Sequence, residues 1–600
     1  VPTAETIDWE DCGDRTQCGT VEVPADYDDP AAGTINIAVN VHRATDLDER
    51  VGYLFINPGG PGGSGVDFVD LAESTFTGEL LESFDIVGFD PRGVGASEPT
   101  FACGGEDEQA DLLAQLDATP DTDEEIAIGS EAAQLCLESM GPVGFRLHSE
   151  FVARDMDEIR TALGAEQISY LGFSYGSALG GWYASLFPER VFSMAVDGAA
   201  NPLASFETVE EAIEQAQASV GPLHDQLAAA IGSCDSTCPI WNDGDPEGYW
   251  YGMVDKFDLV TEAKDGDPTA IVLGVVGHLY SETAWPMLHE SIFLLGENDD
   301  PSGFVAAIER ASFGDGPSIV AHINCLDGWA LFPELDLEAR VARADAVRDE
   351  VDAFTAEQYP LLDAVELPEQ AGSCIFYGAF DPPVFDGTYD GGGIPILVVG
   401  NTSDPVTPFI RSEQFATEVL ADGRLVKVEH SSHVVYPGNP CINDLIHTAL
   451  IDQEYPTEEL TCEAVVGLGE ISLVPVEFPD GAMSVRPAGW TELAPGAYVS
   501  EALGALVVFQ PTGGDVQGTI GLIESQAGGS TAERVGEVDI NGVTWSIFAI
   551  NVPAEDAALQ FAISPGPDGV MVLGQSGIDD IDELASKVLR PAIEAFVPAG

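Results

Sequence analysis

Residues 171–181 read LGFSYGSALGG, with Ser174 set between Gly172 and Gly176. The overlapping run ISYLGF (168–173) has the apolar and aromatic make-up of a buried strand, and SALGGWYASLF (177–187) reads as a helix. The serine therefore falls where a strand turns directly into a helix. A turn that sharp presses neighbouring backbone segments together, and side chains at 172 and 176 would clash there. Glycine and serine are abundant, so G-x-S-x-G recurs by chance in unrelated chains. Its place between strand and helix is what gives it weight, and it thrusts the Ser174 hydroxyl outward at the helix start.

An alcohol needs a base to become a nucleophile, and the base needs an acid to hold its tautomer. In sheets of this kind the three follow in the chain order serine, acid, histidine. ILVVGNTSDPVTP (396–408) ends a strand near Gly400 and puts Asp404 in the loop beyond, although an Asp-Pro pair is also an ordinary turn. RLVKVEHSSHVVYPG (424–438) carries His430 and His433. His430 reads as the end of the strand, while His433 lies on the loop, where its ring can reach the serine. Ser174, Asp404 and His433 are thus the candidate triad. A developing oxyanion also needs backbone N–H donors. The N–H of Tyr175 is one candidate, and FINPGGPGGSG (55–65) is glycine-dense enough for its backbone to approach a substrate closely. That stretch lacks the Lys-Ser/Thr ending of a phosphate-binding loop, so a nucleotide site is rejected.

The chain has 600 residues, 103 of them acidic and 21 basic, for a formal net charge of −82. With 45% hydrophobic residues it still has apolar side chains enough to fold, so the charge belongs to a surface. Such a surface repels nucleic acids and anionic membranes, which sets nucleic-acid binding aside. It also repels itself, and molar salt, with a Debye length of about 3 Å, removes most of that repulsion. The balance points to a salt-loving source; an ordinary acidic secreted protein is the plainer alternative. No run of about eighteen apolar residues occurs, so no membrane span is expected.

Ten cysteines fall into close pairs along the chain: Cys12 with Cys18, Cys103 with Cys136, Cys234 with Cys238, Cys325 with Cys374, and Cys441 with Cys462. Disulfides are the natural reading, and neighbour pairing is one of on the order of a thousand schemes that ten cysteines allow. SCDSTCPIW (233–241) has no histidine or second cysteine pair at zinc-site spacing nearby. Bridges imply an oxidising compartment. The opening VPTAETIDWEDCG, without a basic start and apolar stretch, fits a secreted, mature product whose signal peptide has been removed.

Apolar runs at 34–44, 52–57, 84–90, 168–173, 191–198, 394–400 and 424–430 read as strands, most of them continuous enough for a sheet covered on both faces. Helical segments alternate with them; in EFVARDMDEIRTALG, Phe151, Val152, Met156, Ile159 and Leu163 share one face. The expected fold is α/β, with a core in two parts, 1–200 and 394–465. A mostly helical insertion over 201–393, including VEEAIEQAQASVGPLHDQLAAAIGSC and LEARVARADAVRDEVDAF, is expected to cap the carboxyl edge of the sheet. From 466 to 600 the texture changes to short strands with glycine-rich turns, GTIGLIES (518–525) among them, and a closing helix in DDIDELASKVLRPAIEAF. A small α+β accessory domain is expected there, and nothing in it resembles a catalytic constellation.

These motifs together resemble the secreted tripeptidyl aminopeptidase branch of the proline iminopeptidase family, serine peptidases of the α/β-hydrolase fold. CGTVEVPADYDDP, FINPGGPGGSG, FDIVGFDPRGVGASEP, YLGFSYGSALGGWYASLFPERVFSMAVDGAANP, HINCLDGW, GNTSDPVTP and CINDLIHTALIDQEYPTEELTCE carry the resemblance in order, over roughly the first three quarters of the chain. It implies Ser174 as nucleophile, Asp404 as acid, His433 as base and the Gly60 N–H as the second oxyanion donor. It also implies that GFDPRGVGAS buttresses the site. One departure stands out: the family's histidine sits between glycines, and here its neighbours are Ser432 and Val434.

The implied activity is release of short peptides, tripeptides in this branch, from free amino ends. A cap offering carboxylates to the substrate ammonium would explain such selectivity, and Glu207, Glu210 and Glu211 in ASFETVEEAIE are candidates beside the plainer reading of a solvated helix face. The same triad could cleave carboxylic esters, and an inert hydrolase fold used for binding is a third reading. Acyl transfer by serine calls for no cofactor and no metal; the partner is a peptide or small ester substrate. The charge balance yields one expectation at once. The melting temperature should rise between dilute buffer and molar salt, and a flat response would contradict the salt-loving reading.

Overall fold

The computed structural model describes residues 7–13, 15–47, 50–102, 104, 122–203, 209–234, 236, 238–264, 270–281, 284–311, 317–331, 353–362, 387–463, 473–477, 483–487, 491–494, 497–500, 505–511, 519–520, 523, 531–540, 543–552, 557–564, 570–577, 584, 588–589 and 592. Ten strands form one sheet: β1 (Glu10–Gly13), β2 (Thr16–Pro24), β3 (Thr34–His42), β4 (Gly52–Asn57), β5 (Phe84–Phe89), β6 (Ile168–Phe173), β7 (Val191–Asp197), β8 (Ile396–Asn401), β9 (Gly423–Val428) and β10 (Leu460–Cys462). Their order is β1-β2-β3-β5-β4-β6-β7-β8-β9-β10. Pairing is antiparallel from β1 through β3 to β5, and parallel from β5 through β4 to β10. This is the α/β-hydrolase arrangement, with β6 near its middle.

Alternation along each strand divides the core in two, as the period of two requires. Phe55, Val87, Tyr170, Met194, Val196 and Val398 face the helices Ser149–Ala162 and Tyr175–Leu186. Leu54, Ile86, Leu171, Ala195, Leu397 and Val399 face the opposite layer, built on Val69, Phe76, Ile442 and Ile446. Of the expected apolar face of EFVARDMDEIRTALG, Val152, Met156 and Ile159 are buried in the first layer, Leu163 is partly buried against it, and Phe151 is buried beside Tyr27. Two strand readings shift. β2 has no counterpart in the sequence reading, because only Val21 and Val23 alternate with exposed Thr20 and Glu22 in an otherwise polar stretch. β9 ends at Val428, so His430 lies beyond the strand and not at its end.

The chain leaves the sheet after Asp197 and returns at Ile396 on the adjacent strand. Between these points the helices Val209–Gly232, Ala270–Leu279, Trp285–Asn298 and Ser302–Ala311 contribute to a core of their own around Leu227, Trp250, Phe257, Val275, Ile292 and Phe304. Helix Pro317–Leu331 packs differently: its Ile319, Ile323 and Leu326 join the layer over the main sheet. LEARVARADAVRDEVDAF lies, apart from its last two residues, outside the described residues.

Toward the carboxyl end a strand pair, Leu473–Glu477 with Met483–Pro487, precedes a seven-stranded antiparallel sheet spanning Thr491 to Gly577. The strand expected in GTIGLIES is not one. Thr519, Ile520 and Ile523 are helical, and the spacing of three puts Ile520 and Ile523 together in that unit's core with Phe561. Disulfides Cys12–Cys18, Cys234–Cys238 and Cys441–Cys462 form as neighbour pairing expects. Cys103 and Cys374, and with them the other two expected pairs, lie outside the described residues.

One buried ion pair ties three parts of the core together. Arg92, in the loop after β5, donates from Nε to Asp155 Oδ2 at 2.7 Å and from Nη2 to Oδ1 at 2.6 Å. Its remaining N–H groups reach the carbonyls of Pro24, Ala25 and Arg146, and the Tyr27 hydroxyl completes Asp155 at 2.8 Å. Neither side chain is more than 1% exposed. Removing one partner strands the other's charge away from water. Arg92→Ala should therefore destabilise the core by about 3–5 kcal/mol, whereas Arg92→Met with Asp155→Leu should cost less than either single change. Denaturant unfolding checks this, and a loss under about 1 kcal/mol for Arg92→Ala would count against the buttress.

Candidate active site

Glycine shapes the end of β6. Ser174 sits at φ 54 and ψ −123, a region costly for a residue with a side chain, and helix Tyr175–Leu186 starts directly after it. A Cβ on Gly172 would lie 2.4 Å from the Gly176 carbonyl oxygen, and one on Gly176 would lie 2.8 Å from the Asn57 carbonyl oxygen. The Ser174 N–H donates to Asp197 O at 3.0 Å, fixing the turn to the end of β7. Although Ser174 holds the N-cap position, its hydroxyl makes no capping bond and stays available for other chemistry.

The loop after β4 lies against this turn. Gly59 is the residue in closest contact, since a Cβ there would meet Phe173 O at 2.6 Å and Tyr175 N at 3.3 Å. Its own N–H is engaged by Asn57 Oδ1 at 3.0 Å. Among the described residues the N–H groups of Gly60 and Tyr175 have no hydrogen-bond acceptor. The GFDPRGVGAS stretch holds the glycine loop from behind. Asp90 Oδ1 accepts from Ser64 Oγ at 2.6 Å and Val66 N at 3.2 Å, and Oδ2 accepts from Ala96 N at 2.8 Å.

Asp404 and His433 meet beyond β8 and β9. His433 Nδ1 lies 3.0 Å from Asp404 Oδ2 and 3.1 Å from Oδ1, with the two side chains 4% and 0% exposed. Asp404 serves its own turn as well, accepting from Val406 N and Thr407 N at 2.8 Å each, and Thr407 Oγ1 donates to Oδ2 at 2.8 Å. A carboxylate at Nδ1 holds the proton there and leaves Nε2 as the basic nitrogen. The His433 ring borders Gly198, where a Cβ would come within 3.4 Å of Cε1. Gly198 directly follows the residue that anchors Ser174. Among the described residues no hydrogen bond joins the Ser174 hydroxyl to His433.

Several residues at this edge escape a reading by motif. Tyr280, from the inserted segment, accepts the His433 N–H at its carbonyl at 2.9 Å and sets its ring edge-on to the imidazole at 5.1 Å. Gln226, also from the insertion, donates to Ser403 O at 2.6 Å beside Asp404. Under the elbow, Tyr175 OH bonds Ser149 Oγ, which in turn donates to Asp327 Oδ2 at 2.7 Å. Asp327 is buried, and burial pushes its carboxyl up to about 7. Glu207 lies outside the described residues, as do the side chains of Glu210 and Glu211. No cluster of three metal-ligating side chains occurs among the described residues, and no described helix is long and apolar enough to cross a membrane.

Comparison with known proteins agrees with this architecture. A family profile described as "alpha/beta hydrolase fold" matches residues 53–226, and one described as "TAP-like protein" matches 370–462. Serine protease Hip1 of Mycobacterium tuberculosis is 30% identical over 474 residues, covering 74% of this chain and 87% of that protein. Tripeptidyl aminopeptidase of Streptomyces lividans is 28% identical over 497 residues, covering 76% of this chain and 86% of its own. Carboxylesterase B of Mycobacterium tuberculosis is 30% identical over 467 residues, covering 74% and 86%.

The Asp327 carboxyl gives this site a pH signature. Its folded pKa of about 7 lies above the ordinary carboxylate value of about 3.9, so the folded chain holds the proton more tightly. Its stabilising contribution is full below the unfolded value and is lost as pH rises through about 7. The melting temperature of Asp327→Asn should accordingly fall less than that of the unmodified chain between about pH 5 and pH 8. Parallel pH profiles of the two proteins would contradict this.

Proposed function

The chain belongs to the TAP-like branch of the α/β-hydrolase serine peptidases, and from that premise we propose that it is a secreted aminopeptidase releasing tripeptides from free amino ends. Ser174 Oγ attacks the scissile carbonyl carbon while its proton passes to His433 Nε2. Asp404 keeps the imidazole in the required tautomer and stabilises its charged form. The N–H groups of Gly60 and Tyr175 receive the oxyanion. Collapse of the tetrahedral intermediate breaks the carbon–nitrogen bond, His433 returns the proton to the leaving amine, and an acyl-enzyme remains. Water then repeats the sequence and frees Ser174.

The observation that carries this reading is the His433–Asp404 pair at 3.0 Å, on the same sheet edge as a serine held at positive φ with an uncommitted hydroxyl. The Ser174–His433 bond that the chemistry needs would close on substrate binding, since catalytic hydrogen bonds are often long in free enzymes. Disulfides support export to an oxidising compartment. The acidic surface supports work in high salt. Carboxylesterase action is the second reading, favoured by the relative of that name at 30% identity.

Tripeptide anilides with free and acetylated amino ends, set against short acyl esters, separate these readings. Free amino ends should be preferred about tenfold or more, and Ser174→Ala should lower kcat/KM about a thousandfold or more. Equal cleavage of free and blocked peptides would remove the exopeptidase assignment. Failure of a fluorophosphonate to label Ser174 would instead favour an inert binding fold.

A further inference from the structure

Asp197 ends β7 and is completely buried, yet the triad makes no use of its carboxylate. Its main chain and its side chain serve opposite sides of the site. The carbonyl oxygen accepts the Ser174 N–H at 3.0 Å. The carboxylate oxygen Oδ2 accepts the N–H groups of Val435 at 2.8 Å and Tyr436 at 2.7 Å, both just past His433. Between the base and those two amides stands Val434 at φ 58, a left-handed conformation that a β-branched residue adopts only when its surroundings impose it. Gly198 leaves room for this arrangement, because a Cβ there would come within 3.0 Å of Val434 Cγ1 and 3.4 Å of His433 Cε1.

We propose that Asp197 is a positioning residue for the hydrolytic reaction: its carboxylate clamps the two amides beyond Val434, imposes the strained turn there and so aims His433 at the serine that its own carbonyl holds. This rests on the assignment of His433 as the base. The carboxylate is an expensive choice for a merely structural link. Oδ1 has no hydrogen-bond partner among the described residues, and burial pushes the carboxyl up to about 6. Thr407 and Asp404 fix the imidazole at Nδ1, Tyr280 takes the His433 N–H, and Ser432 Oγ donates to the Val434 carbonyl at 2.8 Å; the next two N–H groups, of Val435 and Tyr436, both go to Asp197.

The test is a double-mutant cycle read by the saturating rate and half-saturating concentration of fluorophosphonate labelling at Ser174, and by kcat and KM on a tripeptide anilide. Asp197→Ala should slow labelling and lower kcat about tenfold or more, with half-saturation and KM changed less than about threefold. Asp197→Asn, which keeps one oxygen able to accept both amides, should retain most of the rate. In a Val434→Gly background, where the turn is unstrained, Asp197→Ala should cost no more than about threefold. If Asp197→Ala does not fold, Asp197→Ser, too short to span both amides, is read in its place. Equal losses with and without Val434→Gly would overturn the clamp, as would a loss confined to KM or an Asp197→Asn as damaged as Asp197→Ala. Absence of labelling in the unmodified protein would instead sink the hydrolase reading itself.

Discussion

Three backbones meet at the end of β6 with no space between them for a β-carbon. Gly172 lies against the Gly176 carbonyl, Gly176 against Asn57, and Gly59 against Phe173 and Tyr175. This crossing fixes the angle at which the helix Tyr175–Leu186 leaves the strand, and with it the conformation of Ser174. Such a conformation costs about 1–3 kcal/mol and survives only where its surroundings over-determine it. Here they do: the Ser174 N–H is spent on Asp197, the Ser174 carbonyl accepts from Ser177 N at 2.9 Å and Ser177 Oγ at 2.6 Å, and Trp182 and Leu179 bury the helix in the core. The strain is thus held by packing that extends well into the sheet.

The sequence announced the parts of this arrangement that follow from local chemistry. Apolar runs marked the central strands because both faces are covered, and Ser174, Asp404 and His433 were legible because each follows such a run at the carboxyl edge. Residues that act through distance in the chain left weaker marks. Asp197 and Gly198 were read as the end of the strand over 191–198, and only the fold brings Val435 and Tyr436 to that carboxylate. Tyr280 and Gln226 sit in helical surroundings with no signature at all. β2 was hidden by its polar outer face, and the helical state of Ile520 and Ile523 by flanking glycines that read as turns between short strands.

Charge is distributed on two separate principles. With 21 basic against 103 acidic residues, cations are scarce, and several of them serve the core. Arg92 is wholly enclosed with Asp155, while Arg43 and Arg50 share the buried Asp85 at 2.9 Å each. Salt screens exposed charges over about 10 Å or less and leaves enclosed pairs largely untouched. Concentrated salt would therefore relax the repulsion of the acidic exterior without dissolving the ionic contacts that brace the loops behind the glycine-rich segment.

The Asp404 and His433 loops are each fastened twice, once by the core and once by the inserted segment. Asp404 is set by Thr407 within its own turn, while the carbonyl before it is taken by Gln226. His433 faces Asp404 within the core, while its backbone N–H is taken by Tyr280. The insertion is therefore more than a cover over a finished site. Apart from Pro317–Leu331, which packs over the main sheet, its described helices pack around their own cluster of Trp250, Phe257 and Phe304. Two short polar contacts, from Gln226 and to Tyr280, then connect that packing to the Asp404 and His433 loops. A change of packing inside the insertion can in this way alter the geometry of the Asp404–His433 pair without touching either residue, which is one physical route by which an inserted segment can tune a site it does not itself form.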